Sequence, residues 1–187
     1  MRILAIAGSL REESHNRRLL REAQRLAPQG IDVTLWSRLG EIPPYDPGTD
    51  VEPAPDAVAD FRRAIAAADA VLFATPEYNA SIPGVLKNAV DWASRPWPDN
   101  ALRGRPVAVV GATEGSFGAV WAQADLRRVL GITGARVVEE GVALPYAHQA
   151  FDEEGRLLEP VHRDGVVAVL RALAAEAAES SASRRAA

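Results

Sequence analysis

Three short, almost wholly apolar runs, Ile3 to Ala7, Ala70 to Ala74 and Val107 to Val110, constrain this chain's fold more than any other feature. Runs of that length without polar alternation read as strands covered on both faces, the signature of a parallel sheet. Each leads through a polar or glycine-rich loop into apolar residues at helical spacing. Leu19, Leu20, Ala23 and Leu26 mark the first such helix, and Val85, Leu86, Ala89, Val90 and Ala93 mark another. Ala119, Ala122, Leu126, Val129 and Leu130 mark a third. Between them stand a second strand at Ile31 to Leu35 and a helix face at Val58, Phe61, Ile65 and Ala68. A fifth strand is expected at Val137-Val138 with Val142 to Leu144, interrupted at Gly141. A last helix follows near Val161 to Ala178.

Strand and helix thus alternate five times, with no internal repeat and no linker. That order predicts one three-layer α/β domain over residues 1–179, with residues 180–187 as a frayed tail. Five strands favour a flavodoxin-like parallel sheet in the order 2-1-3-4-5 over the six-stranded dinucleotide order. The loops after strands 1, 3 and 4 then share one edge of the sheet, where open α/β sheets bind their ligands. Those are the three loops richest in polar residues and glycine.

Composition narrows the chemistry. The chain has no cysteine, so disulfides, thiolate nucleophiles and iron–sulfur sites are excluded, and redox chemistry needs a bound cofactor. A net charge of -4 gives no electrostatic case for nucleic acid or an anionic membrane. No apolar stretch approaches the roughly 18 residues of a membrane span, so a cytoplasmic protein without membrane insertion is expected. The three histidines, His15, His148 and His162, show no metal-ligand spacing, and no metal site is predicted.

The loop after strand 1 runs Gly8-Ser9-Leu10-Arg11 through Ser14 to Asn16 at a helix start. It matches neither the dinucleotide glycine pattern nor the P-loop. Ser9, Arg11, Ser14 and Asn16 around a helix N-terminus form a natural anion site, although Ser14 is equally suited to capping. His15 reads as a solvated first-turn residue. After strand 3, Pro76-Glu77-Tyr78-Asn79 offers a planar ring and an amide that can meet a heterocycle edge. Gly84 permits close approach of a ligand or second chain, and Lys87 and Asp91 make an ordinary surface pair. Trp92 reads as core or interface packing. The helix from Pro83 to Trp92, rich in Ala and Val, is a candidate subunit interface. After strand 4, Glu114, Gly115, Ser116 and Phe117 lie in a loop bounded by Gly111 and Gly118. Ser116 fails the nucleophile-elbow spacing, because Glu114 stands where the first glycine belongs. The loop from Glu41 to about Pro55 is long enough to suggest a function.

Together these loops resemble the NADPH-dependent FMN reductase family, which includes the soluble quinone and chromate reductases. The resemblance rests on Gly8-Ser9-Leu10-Arg11-x-x-Ser14-x-Asn16, on Pro76-Glu77-Tyr78-Asn79 with its continuation to Trp92, and on the strand-4 glycines. Glu41 to Asp46 also resembles the family's pre-helix loop, and the likeness runs from Ile3 to about Leu130. It implies non-covalent FMN, NADPH or NADH as co-substrate, and a homodimer or homotetramer. By position, Ser9, Arg11, Ser14 and Asn16 would hold the phosphate. Pro76, Glu77, Tyr78 and Asn79 would line the ribityl chain and ring, and Glu114, Gly115, Ser116 and Phe117 would meet the pyrimidine edge. The chain departs from the family at Ala119, where many relatives have a second glycine, and at Glu114, where smaller residues are common. The implied reaction is a ping-pong hydride transfer to a quinone-like, flavin or other small acceptor, with no catalytic side chain. An electron carrier or a mononucleotide-binding regulatory protein would use the same loops.

Overall fold

Alternate residues of the same strands feed two separate cores. The computed structural model describes residues 1–186. Its strands are β1 (Arg2–Ala7), β2 (Asp32–Trp36), β3 (Ala70–Thr75), β4 (Pro106–Ala112), β5 (Arg136–Val137) and β6 (Ala143–Leu144). The helices are α1 (His15–Arg25), α2 (Asp56–Ala67), α3 (Gly84–Ala93), α4 (Val120–Ile132) and α5 (Pro160–Ala186). The sheet is parallel, in the order β2-β1-β3-β4-β5, as expected. Ile3, Ala5, Leu72, Ala108 and Val110 pack against Leu19 and Leu20 of α1 and Leu170 and Leu173 of α5. Leu4, Ile6, Val71, Phe73, Val107 and Val109 face the other way, against α2, α3 and α4. The two-residue period of a strand puts successive side chains on opposite faces, which is why the central strands carry no polar alternation.

The fifth strand of the sequence reading is two short strands, both paired to β4, so the sheet has six. Between them the chain leaves the ladder, and the guanidinium of Arg127 fills the gap. It donates to the carbonyls of Val138 (2.5 Å), Val109 (3.1 Å) and Glu140 (2.9 Å). Burial lowers the Arg127 pKa and the nearby Glu140 charge opposes that shift. A Cβ on Gly141 would stand 2.5 Å from Arg127 Nη2, so the glycine makes room for this plug.

On the inward face of α3, Leu86, Ala89, Val90, Trp92 and Ala93 are buried within this chain. No atom of this chain lies within 4 Å of a Cβ placed at Gly84. The last helix continues through the expected tail to Ala186, and Ser180 is buried, accepting from Arg136 Nη1 at 2.6 Å. Ala187 lies outside the described residues. Among the described residues no helix is long and apolar enough to cross a membrane.

Candidate functional site

A cleft of about 190 Å³ opens at the carboxyl ends of β1, β3 and β4. Ser9, Arg11, Ser14 and Asn16 line it from one side, Pro76, Glu77 and Tyr78 from another, and Glu114 from the third. Eight of the twelve residues singled out in the sequence are thus brought together. Asn79, Gly115, Ser116 and Phe117 are not among the lining residues.

The loop after β1 is shaped by close packing. Gly8 donates its N–H to the carbonyl of Ala74 (2.8 Å), and a Cβ there would meet Leu86 Cδ2 at 2.7 Å. Ser9 and Ser14 are buried, and each already accepts from a backbone amide of its own loop or helix. Ser9 Oγ takes the Arg11 N–H (3.3 Å) and Ser14 Oγ takes the Arg17 N–H (3.4 Å), the capping role. Each hydroxyl keeps its own proton to donate. Arg11 is exposed and has no ion pair among the described residues, leaving its guanidinium available to an anion.

Asn16 has a different job. Its amide is buried and donates to the carbonyl of Ala112 (2.9 Å) while accepting the Ala112 N–H (2.9 Å). The β3–β4 ladder ends at the Thr75–Gly111 pair, and Asn16 supplies the partner where that ladder stops. It therefore fixes the loop after β1 to the end of β4.

The loop after β3 is a tight turn. Tyr78 and Ser81 exchange both backbone hydrogen bonds at 3.1 Å, with Asn79 (φ 52°) and Ala80 (φ 57°) between them. Two consecutive positive φ values define a type I′ turn, and Asn tolerates that conformation better than most residues. Asn79 thus occupies the exposed tip, away from the cleft, while Tyr78 borders it and is half-exposed. The carboxylate of Glu77 accepts from the backbone N–H groups of Trp121 (3.0 Å) and Ala122 (3.1 Å). These are orphan amides at the α4 N-terminus, where Ala119 has no side chain to cap them. Ser81 Oγ adds a second tie to α4, donating to Asp125 at 2.8 Å.

The loop after β4 turns through Gly118 (φ 59°) and Ala119 (φ 62°), both left-handed. Phe117 points outward and meets Trp121 edge-on at 4.9 Å. Glu114 reaches His15 across the cleft, Oε1 to Nε2 at 3.3 Å. His15 is mostly buried and lines the cleft, so it is not the solvated residue expected. The partners stand 99 residues apart, and no local spacing could have signalled the contact. Ala112 and Thr113 also line the cleft without having been singled out.

A larger cavity of about 510 Å³ lies between α1 and the turn at Asp152 to Gly155. Two of its arginines are matched internally, Arg18 with Glu13 and Arg25 with Glu22, and it has no apolar floor. The smaller cleft is the better site, because it combines an unpaired cation, buried hydroxyls, an aromatic ring and the switch-point position.

A family model described as NADPH-dependent FMN reductase matches residues 1–149. An NAD(P)H-dependent FMN reductase of Pseudomonas aeruginosa is 44% identical over 174 residues, 92% of this chain and 93% of that protein. A quinone reductase of Pseudomonas putida is 37% identical over 156 residues, 83% of each chain. The flavoenzyme NAD(P)H:acceptor oxidoreductase of Paracoccus denitrificans superposes with a TM-score of 0.85 at 32% identity, covering 94% of this chain and 98% of that one.

Proposed function

The chain belongs to the NADPH-dependent FMN reductase family, and from that premise we propose that its cleft seats non-covalent FMN for NAD(P)H-dependent reduction of a quinone, a flavin or another small acceptor. FMN held there would supply the hydride and electron transfer between reduced nicotinamide and acceptor. The protein contributes binding and orientation. Arg11, with no carboxylate partner, pairs with the phosphate, and the Ser9 and Ser14 hydroxyls donate to it beside the α1 N-terminus. Tyr78 flanks the planar part of the cofactor, and Pro76 and Glu114 complete the walls. Asn16 and Glu77 act by holding those walls in place rather than by direct contact. Asn79, Gly115, Ser116 and Phe117 are outside the residues that line the cleft and keep their proposed cofactor contacts only as part of the flanking loops.

The observation that carries this reading is the unpaired Arg11 guanidinium facing two buried serines at a helix start, inside the family's own sequence pattern. A cytoplasmic location and assembly as a homodimer or homotetramer accompany the proposal. The test is to titrate purified protein with FMN and follow NADPH oxidation with a quinone. Stoichiometric FMN uptake and sustained turnover are expected. An electron carrier would bind FMN with little turnover, and a protein that takes up no FMN would refute the assignment.

A further inference from the structure

The loop after β1 and the end of β4 are tied together twice, and one tie is enough to hold the walls of the cleft. Asn16 makes the first, through two buried hydrogen bonds to Ala112 at 2.9 Å. His15 makes the second, from Nε2 to Glu114 Oε1 at 3.3 Å, with the Glu114 side chain 61% exposed at the rim. A contact with one partner in water adds little to stability. Both residues line the cleft, so the pair is better placed to act on what enters it than to hold the fold.

The His15 ring keeps one open valence. A carboxylate only accepts hydrogen bonds, so Nε2 carries the proton in the contact with Glu114. Nδ1 is shielded from water and has no hydrogen-bond partner among the described residues. In a neutral ring it is a bare acceptor; in an imidazolium it is a buried donor that needs an acceptor. The charged groups lining the cleft with His15 are Arg11 from the same loop, Glu77 from the loop after β3 and Glu114 from the loop after β4, with the Tyr78 phenol beside them. Glu77 is engaged by the α4 amides. On the helix of His15 itself, Arg18 is matched to Glu13 and Arg17 lines a neighbouring cavity. An anion entering the cleft thus meets Arg11 as an opposite charge and Glu114 as a like one. Because His15 opens α1, the helix dipole disfavours a cation there, against the pull of Glu114. A second anion, at Nδ1, would tip that balance to the imidazolium.

We propose that His15 is a further contact of the cofactor phosphate: as an imidazolium it joins Glu114, through Nε2, to a phosphate oxygen, through Nδ1. The ring then masks the one carboxylate that would repel the phosphate, and phosphate and proton bind together. The cleft thereby favours FMN over riboflavin and retains it in a pH-dependent way. Because the bound state favours the proton, affinity is greatest below the pH range in which histidine titrates and is lost as pH rises through it. On the acid side, the second ionisation of the phosphate, near pH ~6, sets the opposite limit. The inference rests on the flavin reading above.

The test is calorimetry of FMN, riboflavin and inorganic phosphate on the full chain freed of flavin, for the parent, His15→Gln and Glu114→Gln. Between about pH 7 and about pH 9 the FMN affinity of the parent should fall about tenfold, while its riboflavin affinity holds within about twofold. His15→Gln should weaken FMN about tenfold at about pH 7 and flatten that pH dependence. Glu114→Gln should move the alkaline loss to lower pH, since the imidazolium then has one anion beside it instead of two. A His15→Gln protein with the FMN affinity and pH profile of the parent would overturn the proposal. Equal losses of FMN and riboflavin in that variant would overturn it too, as the mark of a disturbed cleft rather than a lost phosphate contact. A parent that refuses FMN, yet binds inorganic phosphate with an alkaline loss that His15→Gln removes, would keep His15 as an anion contact and refute only the flavin reading. Refusal of both FMN and inorganic phosphate would overturn both.

Discussion

Gly118 and Ala119 adopt nearly the same left-handed backbone, yet their side-chain tolerance differs. A Cβ on Gly118 would lie 2.5 Å from the carbonyl carbon of Ala143 and 2.7 Å from Leu144 N, backbone atoms that cannot yield. Gly118→Ala should therefore destabilise by about 2–4 kcal/mol in urea unfolding. Ala119→Gly should move stability by less than about 1 kcal/mol. Relief of about 1–2 kcal/mol of left-handed strain is offset by the lost methyl, about 0.8 kcal/mol, and by the freer unfolded chain. The chain's departure from a double glycine at this point is thus energetically near neutral. Asn16 is the opposite case. Asn16→Ala would leave the buried N–H and carbonyl of Ala112 without the side-chain partners they now have. We expect a loss of about 2–4 kcal/mol and weakened FMN retention, both read on the same protein by unfolding and flavin fluorescence. Stability loss without any change in FMN affinity would separate the Asn16 clasp from the cofactor site.

The Pro-rich segment between β2 and α2 shows how an element can be predicted for one reason and retained for another. Its length suggested function; its contacts show what anchors it. Asn88 accepts the Tyr45 N–H (2.7 Å) and donates to the Pro43 carbonyl (2.9 Å), which also receives Trp92 Nε1 (2.8 Å). The Leu86-to-Trp92 part of the recognised sequence pattern thus serves this loop and the core. Asp50 anchors the far end, pairing with Arg62 (2.9 Å) and Arg95 (3.1 Å). Burial alone would push the Asp50 carboxyl up, but hydrogen bonds from both arginines outweigh it and hold the pKa below the ordinary 3.8. The stability this pair adds is whole above 3.8 and is lost as pH falls below it, through the depressed folded value. Asp50→Asn should cost about 2–3 kcal/mol at neutral pH, and the difference from the parent should shrink in acid unfolding below that pH. The strand order and the three loops were legible because apolar runs and helical periodicity are local properties. The Arg127 plug, the Glu77 cap on α4 and the His15–Glu114 bridge were not, since each joins residues distant in sequence through geometry that only the folded chain creates.

At the scale of the whole molecule, one group of exposed apolar side chains stands beside the candidate cleft. Tyr78, Phe117, Val120 and Trp121 are 40–60% exposed. Glu77 joins the Tyr78 loop to the Trp121 amide, and the Phe117 and Trp121 rings touch, so these residues form one patch around the α4 N-terminus. Half-exposed aromatics of about 150–250 Å² each supply a few hundred Å², the anchor of an interface rather than all of the ~800 Å² per partner that a stable dimer needs. Aromatic anchors nonetheless dominate binding energy, which makes this patch, and not the buried face of α3, the surface to test for the proposed homo-oligomer. Phe117→Ser with Trp121→Ser leaves the backbone amides held by Glu77 intact and should convert the assembly to monomers in light scattering at micromolar concentration. Because Tyr78 borders both the patch and the cleft, dissociation should also weaken FMN retention. A parent protein that is already monomeric would refute the oligomer outright. Monomers that keep full FMN affinity would show instead that each chain completes its cofactor site alone.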